Sequence, residues 1–222
     1  MTKNNNRIFR ISAIAIFIAI AYISSLLFPI KVQFLTLDIK DAFITIGALY
    51  FGPLAGIIVS AAVSLLEFLW GSSTGVYGLI MNFLGSAAFS AVAALIYTRR
   101  KSLVNAVFSL ICACVTMVVV MLAANLVITP LFMASRGMTV QAVEKMILPL
   151  LLPFNAIKSI LNAALVLLLY KPISIALKKA RLGNGEITGN RMNKNSIIVA
   201  VIAIVLIAAS LVFLFLKLGA SL

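Results

Sequence analysis

The stretch Leu150-Leu151-Leu152-Pro153-Phe154-Asn155-Ala156-Ile157-Lys158-Ser159-Ile160-Leu161-Asn162, continued by the apolar run Ala163 to Tyr170, decides both the fold and the place to look for function. Coiled as a helix, it sets Asn155, Lys158, Ser159 and Asn162 at i, i+3, i+4 and i+7, one polar stripe on an otherwise apolar cylinder. Such a cylinder belongs in a bilayer, and a lysine near its middle costs roughly 3 kcal/mol on insertion scales, so it must face a partner, a cavity or a substrate. The bland readings are that Lys158 snorkels to an interface or neutralises a buried acid. The companion asparagines favour a ligand face.

Composition says the same of the whole chain. Hydrophobic residues make up 64% of the sequence and charged residues 10%, against about half and about a quarter in soluble globular domains. The fold class is therefore an all-α polytopic membrane protein. Its net charge of +13 is gathered in short basic segments between apolar runs, as the positive-inside rule requires, and reads as topology rather than as affinity for nucleic acid. Cys112 and Cys114 sit inside an apolar run of a chain without histidine. A disulfide framework or a Cys/His metal site is not expected of them, and they read as packing residues.

Taken in order, Lys3, Arg7 and Arg10 precede the apolar run Ile11 to Phe28, an uncleaved first helix with a cytoplasmic start. Ser12, Ala15 and Ala19 share a face of it, and small residues let another helix come close, either within the chain or from a partner subunit docked in the bilayer. Pro29 to Lys40 reads as an external loop. Asp41 to Phe51 and Ala55 to Trp70 are two helices around the turn signal Phe51-Gly52-Pro53-Leu54-Ala55-Gly56, the first barely long enough to span. Gly71 to Gly78 returns the chain outside, and Leu79 to Tyr97 is a fourth helix with Asn82 and Gly85. Arg99 to Lys101 marks the cytoplasm, Val104 to Phe132 carries Asn125, Thr129 and Pro130 towards its far end, and Ala134 to Lys145 is an external connection to the sixth helix. The domain plan is thus residues 1–180 as a six-helix substrate-binding bundle, 181–195 as a flexible cytoplasmic linker, and 196–222 as one additional C-terminal transmembrane helix. Removing that last helix after Arg181 is expected to cost little binding. Counting crossings places Asp38, Asp41, Gly75, Tyr77, Asn82, Asn125, Asn155 and Lys158 in the outer half, with Asn162 next along the stripe, so that they can converge on one pocket.

The sequence has no phosphate-binding GxxxxGK[ST] loop, no metal-ligand cluster, and neither HExxH nor GxSxG, so ATP hydrolysis and familiar intramembrane proteolysis lack their residues. The chain is read as no enzyme, with no catalytic residue and no cofactor. Glu67 is the only carboxylate inside a spanning segment, thin support for a proton-driven transporter. A binding protein for a small, partly apolar molecule remains.

Asp38-x-x-Asp41, Phe51 to Gly56, Gly75-x-x-Gly78-x-x-x-Asn82-Phe83, Asn125 and Pro153-Phe154-Asn155-x-x-Lys158, taken together, resemble the substrate-binding S component of energy-coupling factor (ECF) transporters over about residues 8 to 180. Among these the chain is most similar to the riboflavin-specific S component. The resemblance implies six helices, an outward-facing vitamin pocket, a bacterial plasma membrane location with the N-terminus in the cytoplasm, and one T subunit with two ATPase subunits supplying energy. Asn82, Asn125 and Asn155 offer donors and acceptors suited to a flavin, Lys158 donates only, and Phe34, Leu37, Tyr77 and Phe154 are plausible walls. Two features depart from the pattern. The seventh helix lies outside it, and Lys40 puts a basic group near the entrance, where it would favour an anion such as a phosphorylated flavin. An S component for thiamin or pantothenate, or a stand-alone secondary transporter, are the alternative readings.

Overall fold

The computed structural model describes residues 3–27, 29–70, 74–132, 139–179 and 194–217. Along it run α1 (Lys3–Leu27), β1 (Ile30–Val32), β2 (Leu35–Leu37), α2 (Lys40–Phe51), α3 (Pro53–Leu69), α4 (Gly75–Tyr97), α5 (Leu103–Phe132), α6 (Val140–Met146), α7 (Leu152–Lys179) and α8 (Lys194–Lys217). Among the described residues, five stretches are long and apolar enough to cross a membrane: Ile8–Leu27, Gly75–Tyr97, Leu103–Phe132, Val140–Ile173 and Ile197–Leu216. The other two expected crossings, α2 and α3, are shorter, with 12 and 17 residues. At about 1.5 Å per residue α2 rises only about 18 Å, against a hydrocarbon core of about 30 Å. Nine of its residues are buried, so it sits inside the bundle rather than against lipid.

The turn between α2 and α3 follows from two residues. Gly52 adopts φ 95, its N–H bonds the Ala48 carbonyl at 2.8 Å, and Pro53 opens α3, where its missing N–H costs nothing. Gly56, the other glycine of this motif, does different work. A Cβ there would lie 2.8 Å from the Ala48 Cβ and 2.9 Å from the Ser90 Oγ, so glycine is what lets α2, α3 and α4 meet. Around that crossing Phe17, Ile46, Phe89, Leu110, Met117 and Val166 form the main core. At the turn end of α2, Arg10 Nη2 donates to the Phe51 carbonyl at 2.8 Å, and the Tyr97 and Tyr170 hydroxyls meet at 3.0 Å.

The loop expected from Pro29 to Lys40 contains a β-hairpin instead. Ile30 pairs with Leu37 and Val32 with Leu35 in antiparallel register, around a turn in which Gln33 takes φ 54. Ile30, Val32 and Leu37 point inward while Lys31 and Thr36 are exposed, the period of two that a strand imposes. A second correction concerns Ala134 to Lys145. Its described part becomes helix α6, which runs into α7 through a wide π turn at Ile147–Leu151. Pro149 within that turn has no N–H for the helical ladder, the usual cause of such a widening. Helix α7 continues past the expected end at Tyr170, and the expected linker falls almost wholly on residues 180–193, outside the described ones.

Helix α8 packs against α7. Ala203 and Leu214 are fully buried and Ser210 nearly so. Leu214, near the end of α8, shares a cluster with Leu150 and Phe154, near the start of α7, so the two helices run antiparallel. The additional helix is part of the packed bundle, which revises the expectation that it stands apart from the six before it.

Candidate functional site

Five charged residues near the hairpin end, Asp38, Lys40, Asp41, Glu67 and Lys158, collect into one buried network. Lys40 and Glu67 lie 12 residues before and 15 after Gly52, so the tight turn brings them level across the α2–α3 pair. Lys40 Nζ donates to both Glu67 carboxylate oxygens at 2.7 Å and lies 3.4 Å from Asp38 Oδ2. On α4, Asn82 Nδ2 donates to Glu67 Oε2 at 2.9 Å, and one turn on Ser86 Oγ donates to Asp41 Oδ1. From α7, Lys158 Nζ donates to Asp38 Oδ2 at 3.1 Å, lies 3.9 Å from Asp41 Oδ2, and reaches the Thr36 carbonyl of β2 at 3.5 Å. Asn162 closes the arrangement. Its Oδ1 accepts from the Ala42 N–H at 2.9 Å and its Nδ2 donates to the Asp38 and Lys158 carbonyls, both at 3.0 Å. Ile39, which precedes α2, offers it no side-chain cap, so α7 supplies an acceptor to an amide of its buried first turn.

These groups are withdrawn from solvent: Lys40 and Asp41 are 1% exposed, Asp38 4% and Lys158 7%. Buried ions are tolerable only when paired and hydrogen-bonded. Asp38, in the link between β2 and α2, illustrates the balance: burial pushes its carboxyl up, and the Lys158 and Lys40 ammoniums outweigh burial and hold it below its ordinary value. Counted formally, three carboxylates (Asp38, Asp41, Glu67) face two ammoniums (Lys40, Lys158), a formal excess of one negative charge. Hydrogen bonding is also incomplete. Asp38 Oδ1, Asp41 Oδ2 and Asn155 Oδ1 are buried acceptors with no partner among the described residues. Asn155 stands one turn from Lys158 on α7 and spends its Nδ2 on the Leu151 carbonyl at 2.8 Å.

The structure therefore brings Asp38, Asp41, Asn82, Lys158 and Asn162 into a single network, with Asn155 beside it on the same buried face of α7. Asn125 stays apart, its Nδ2 on the Met121 carbonyl at 2.7 Å and its Oδ1 accepting from Thr129 at 2.8 Å, both within α5. Gly75 takes φ 59 where α4 begins, and Tyr77 is 40% exposed with its ring 5.6 Å from Phe132. Neither bonds the network. Of the expected walls, Leu37 and Phe154 are buried in one apolar cluster with Phe34 against it. Lys40 needs correcting: it is enclosed between Glu67 and Asp38 and presents no free positive charge at an entrance. Glu67 and Ser86 were missed as network members, and opposite charges at comparable distances on either side of Gly52-Pro53 were the available signal for Glu67. On α1, Ser12, Ala15 and Ala19 are exposed while Ala13, Phe17 and Ala21 face the core. A groove of about 250 Å³ between α5 and α7, lined by Cys114, Val115, Val118, Val119, Ala156, Ser159 and Ile160, is apolar and holds no member of the network.

Helices of spanning length around a buried polar network define a multi-pass membrane protein with a charged interior at one end. The family model described as ECF transporter, substrate-specific component, matches residues 9–170, and the chain belongs to that family. It is similar to the riboflavin transporter RibU of Staphylococcus aureus (strain TCH60), 32% identical over 183 residues that cover 80% of this chain and 95% of the relative. It is also similar to the riboflavin transporter FmnP of Bacillus subtilis (strain 168), 30% identical over 161 residues, 68% of this chain and 85% of the relative. Among solved structures, one reported as the structure and mechanism of the S component of a bacterial ECF transporter superposes with a TM-score of 0.64 at 32% identity, over 80% of this chain and 99% of that one. The family is a transporter component rather than an enzyme. Helix α8 lies beyond the residues that the family model matches.

Proposed function

We propose that this chain captures riboflavin at its hairpin end and delivers it to an ECF module of one T subunit and two ATPase subunits. The observation that carries this reading is the pair of orphaned acceptors, Asp38 Oδ1 on the carboxylate paired with Lys158 and Asn155 Oδ1 one turn before Lys158 on α7. Buried acceptors call for donors, and riboflavin supplies them from its ring imide N–H and its ribityl hydroxyls, while its flat ring suits the apolar surface of Phe34, Leu37 and Phe154. The two relatives named as riboflavin transporters support the same ligand. Riboflavin is cargo here, and no resident cofactor is proposed.

The excess negative charge of the network favours a neutral flavin over a phosphorylated one, the reverse of what Lys40 suggests when read from sequence. Basic segments at Arg99 to Lys101 and around Lys171 support a reading in which the chain sits in a bacterial plasma membrane with its N-terminus in the cytoplasm and the hairpin outside. The exposed small residues Ser12, Ala15 and Ala19 form the face on which the T subunit docks. Helix α1 packs on α2 and α3 whereas α8 packs on α7, so the additional helix does not cover that face. The test is a titration of the solubilised protein with riboflavin, following flavin fluorescence. Saturable quenching at micromolar ligand or below is expected, and its absence refutes the assignment.

A further inference from the structure

Leu214 is fully buried although it lies three residues from the end of α8, and its neighbours Val212, Phe213, Phe215 and Leu216 are between 42% and 78% exposed. One side chain, then, is held under cover where the helix otherwise faces outward. It belongs to one buried apolar cluster with the hairpin residues Ile30, Val32 and Leu37, with Leu150 of the π turn and with Phe154 of α7. Ile207 and Leu211 pack against the same cluster, and with Leu214 they recur at i, i+4 and i+7, a single stripe along α8.

The hairpin needs such backing. Two strands of three residues each are not stable alone, and they keep their shape only when an apolar face is packed against something else. What the hairpin carries matters to the site: the Thr36 carbonyl accepts from Lys158, and Asp38, with its orphaned Oδ1, follows β2 directly. Helix α8 thus shares an apolar cluster with the piece of chain that presents Asp38 to Lys158.

We propose that α8 is a clamp built into the chain, which holds the hairpin down over the ligand site and slows ligand escape, with Leu214 as its positioning residue. The proposal rests on the flavin reading of the site. Because α8 is covalently part of the chain, the hairpin meets it at a high effective concentration. A ligand beneath the hairpin leaves when that segment opens locally, and each opening must pull the hairpin out of the cluster that Leu214 completes. Removing the side chain should therefore act on release far more than on entry.

The experiment uses the full chain in lipid nanodiscs, with Leu214→Ala, the milder Leu214→Val, the volume-preserving Leu214→Met, and Leu216→Ala on the exposed face as control. Riboflavin release is followed by stopped-flow displacement, and hydrogen exchange of the amides of residues 30–37 is measured without ligand. For Leu214→Ala we expect release about tenfold faster, equivalent to about 1.4 kcal/mol, with association changed by less than about twofold and faster exchange in the hairpin. Leu214→Val should fall between, and Leu214→Met and Leu216→Ala should match the native chain. Native release rates in both Leu214→Ala and Leu214→Val overturn the clamp. So does faster exchange without faster release, since α8 would then be structural only. Should the native chain fail to bind riboflavin, the flavin assignment falls while hairpin exchange still decides whether α8 holds the hairpin.

Discussion

Replacing Lys158 with methionine keeps most of the side-chain volume and removes one of two ammoniums from a buried set of five charges. The attraction lost can be worked from the geometry. With an effective dielectric constant of about 20, Asp38 at 3.1 Å contributes about 5 kcal/mol and Asp41 at 3.9 Å about 4 kcal/mol. Most of this is offset by no longer having to desolvate the lysine, and removing one partner of a buried pair typically costs about 3–5 kcal/mol. We expect that loss in the unfolding free energy of Lys158→Met, measured by denaturant titration in mixed micelles. The second arm is Lys158→Met combined with Asp38→Asn. It removes one charge of each sign and returns the network to its native excess of one negative charge, so it should recover about 2 kcal/mol or more of the single-variant loss, within the coupling range of contacting residues. If the two single losses simply add in the double variant, the ion pair is not what stabilises this end of the bundle, and the electrostatic reasoning fails.

The remaining predictions concern ligand and partner. Asn155→Ala should weaken riboflavin binding roughly two- to tenfold, the worth of one neutral hydrogen bond, and calorimetry showing native affinity would remove Asn155 from the site. A phosphorylated flavin should bind roughly tenfold or more weakly than riboflavin, since a charge about 8 Å from the excess negative charge meets about 2 kcal/mol of repulsion at an effective dielectric constant of about 20; competition titrations decide this, and equal affinity would contradict it. Ala15→Leu with Ala19→Leu should abolish uptake by cells that carry the ECF module while the purified protein still binds riboflavin. Uptake at the native rate would move partner docking away from α1.

Hydropathy is a local property, so the sequence alone was enough for the membrane class and for most of the helices. The turn at Gly52-Pro53 was equally legible, because a glycine that takes φ 95 and a proline at the first helical position act through their own backbone. The stripe of Asn155, Lys158, Ser159 and Asn162 was a matter of helical period, and all four side chains are buried. Which polar group meets which could not be read this way. Lys40 looked like an entrance charge until folding set it against Glu67, and Asn162 looked like a ligand contact while its three hydrogen bonds go to the backbone around α2 and α7. The hairpin was hidden for a related reason: strands of three residues carry too short an alternation to stand out, and the apolar cluster they join takes in residues as distant as Leu214, some 180 positions away along the chain. Pairings of that range depend on how the helices are stacked, and no local pattern of residues encodes the stacking of one helix against another.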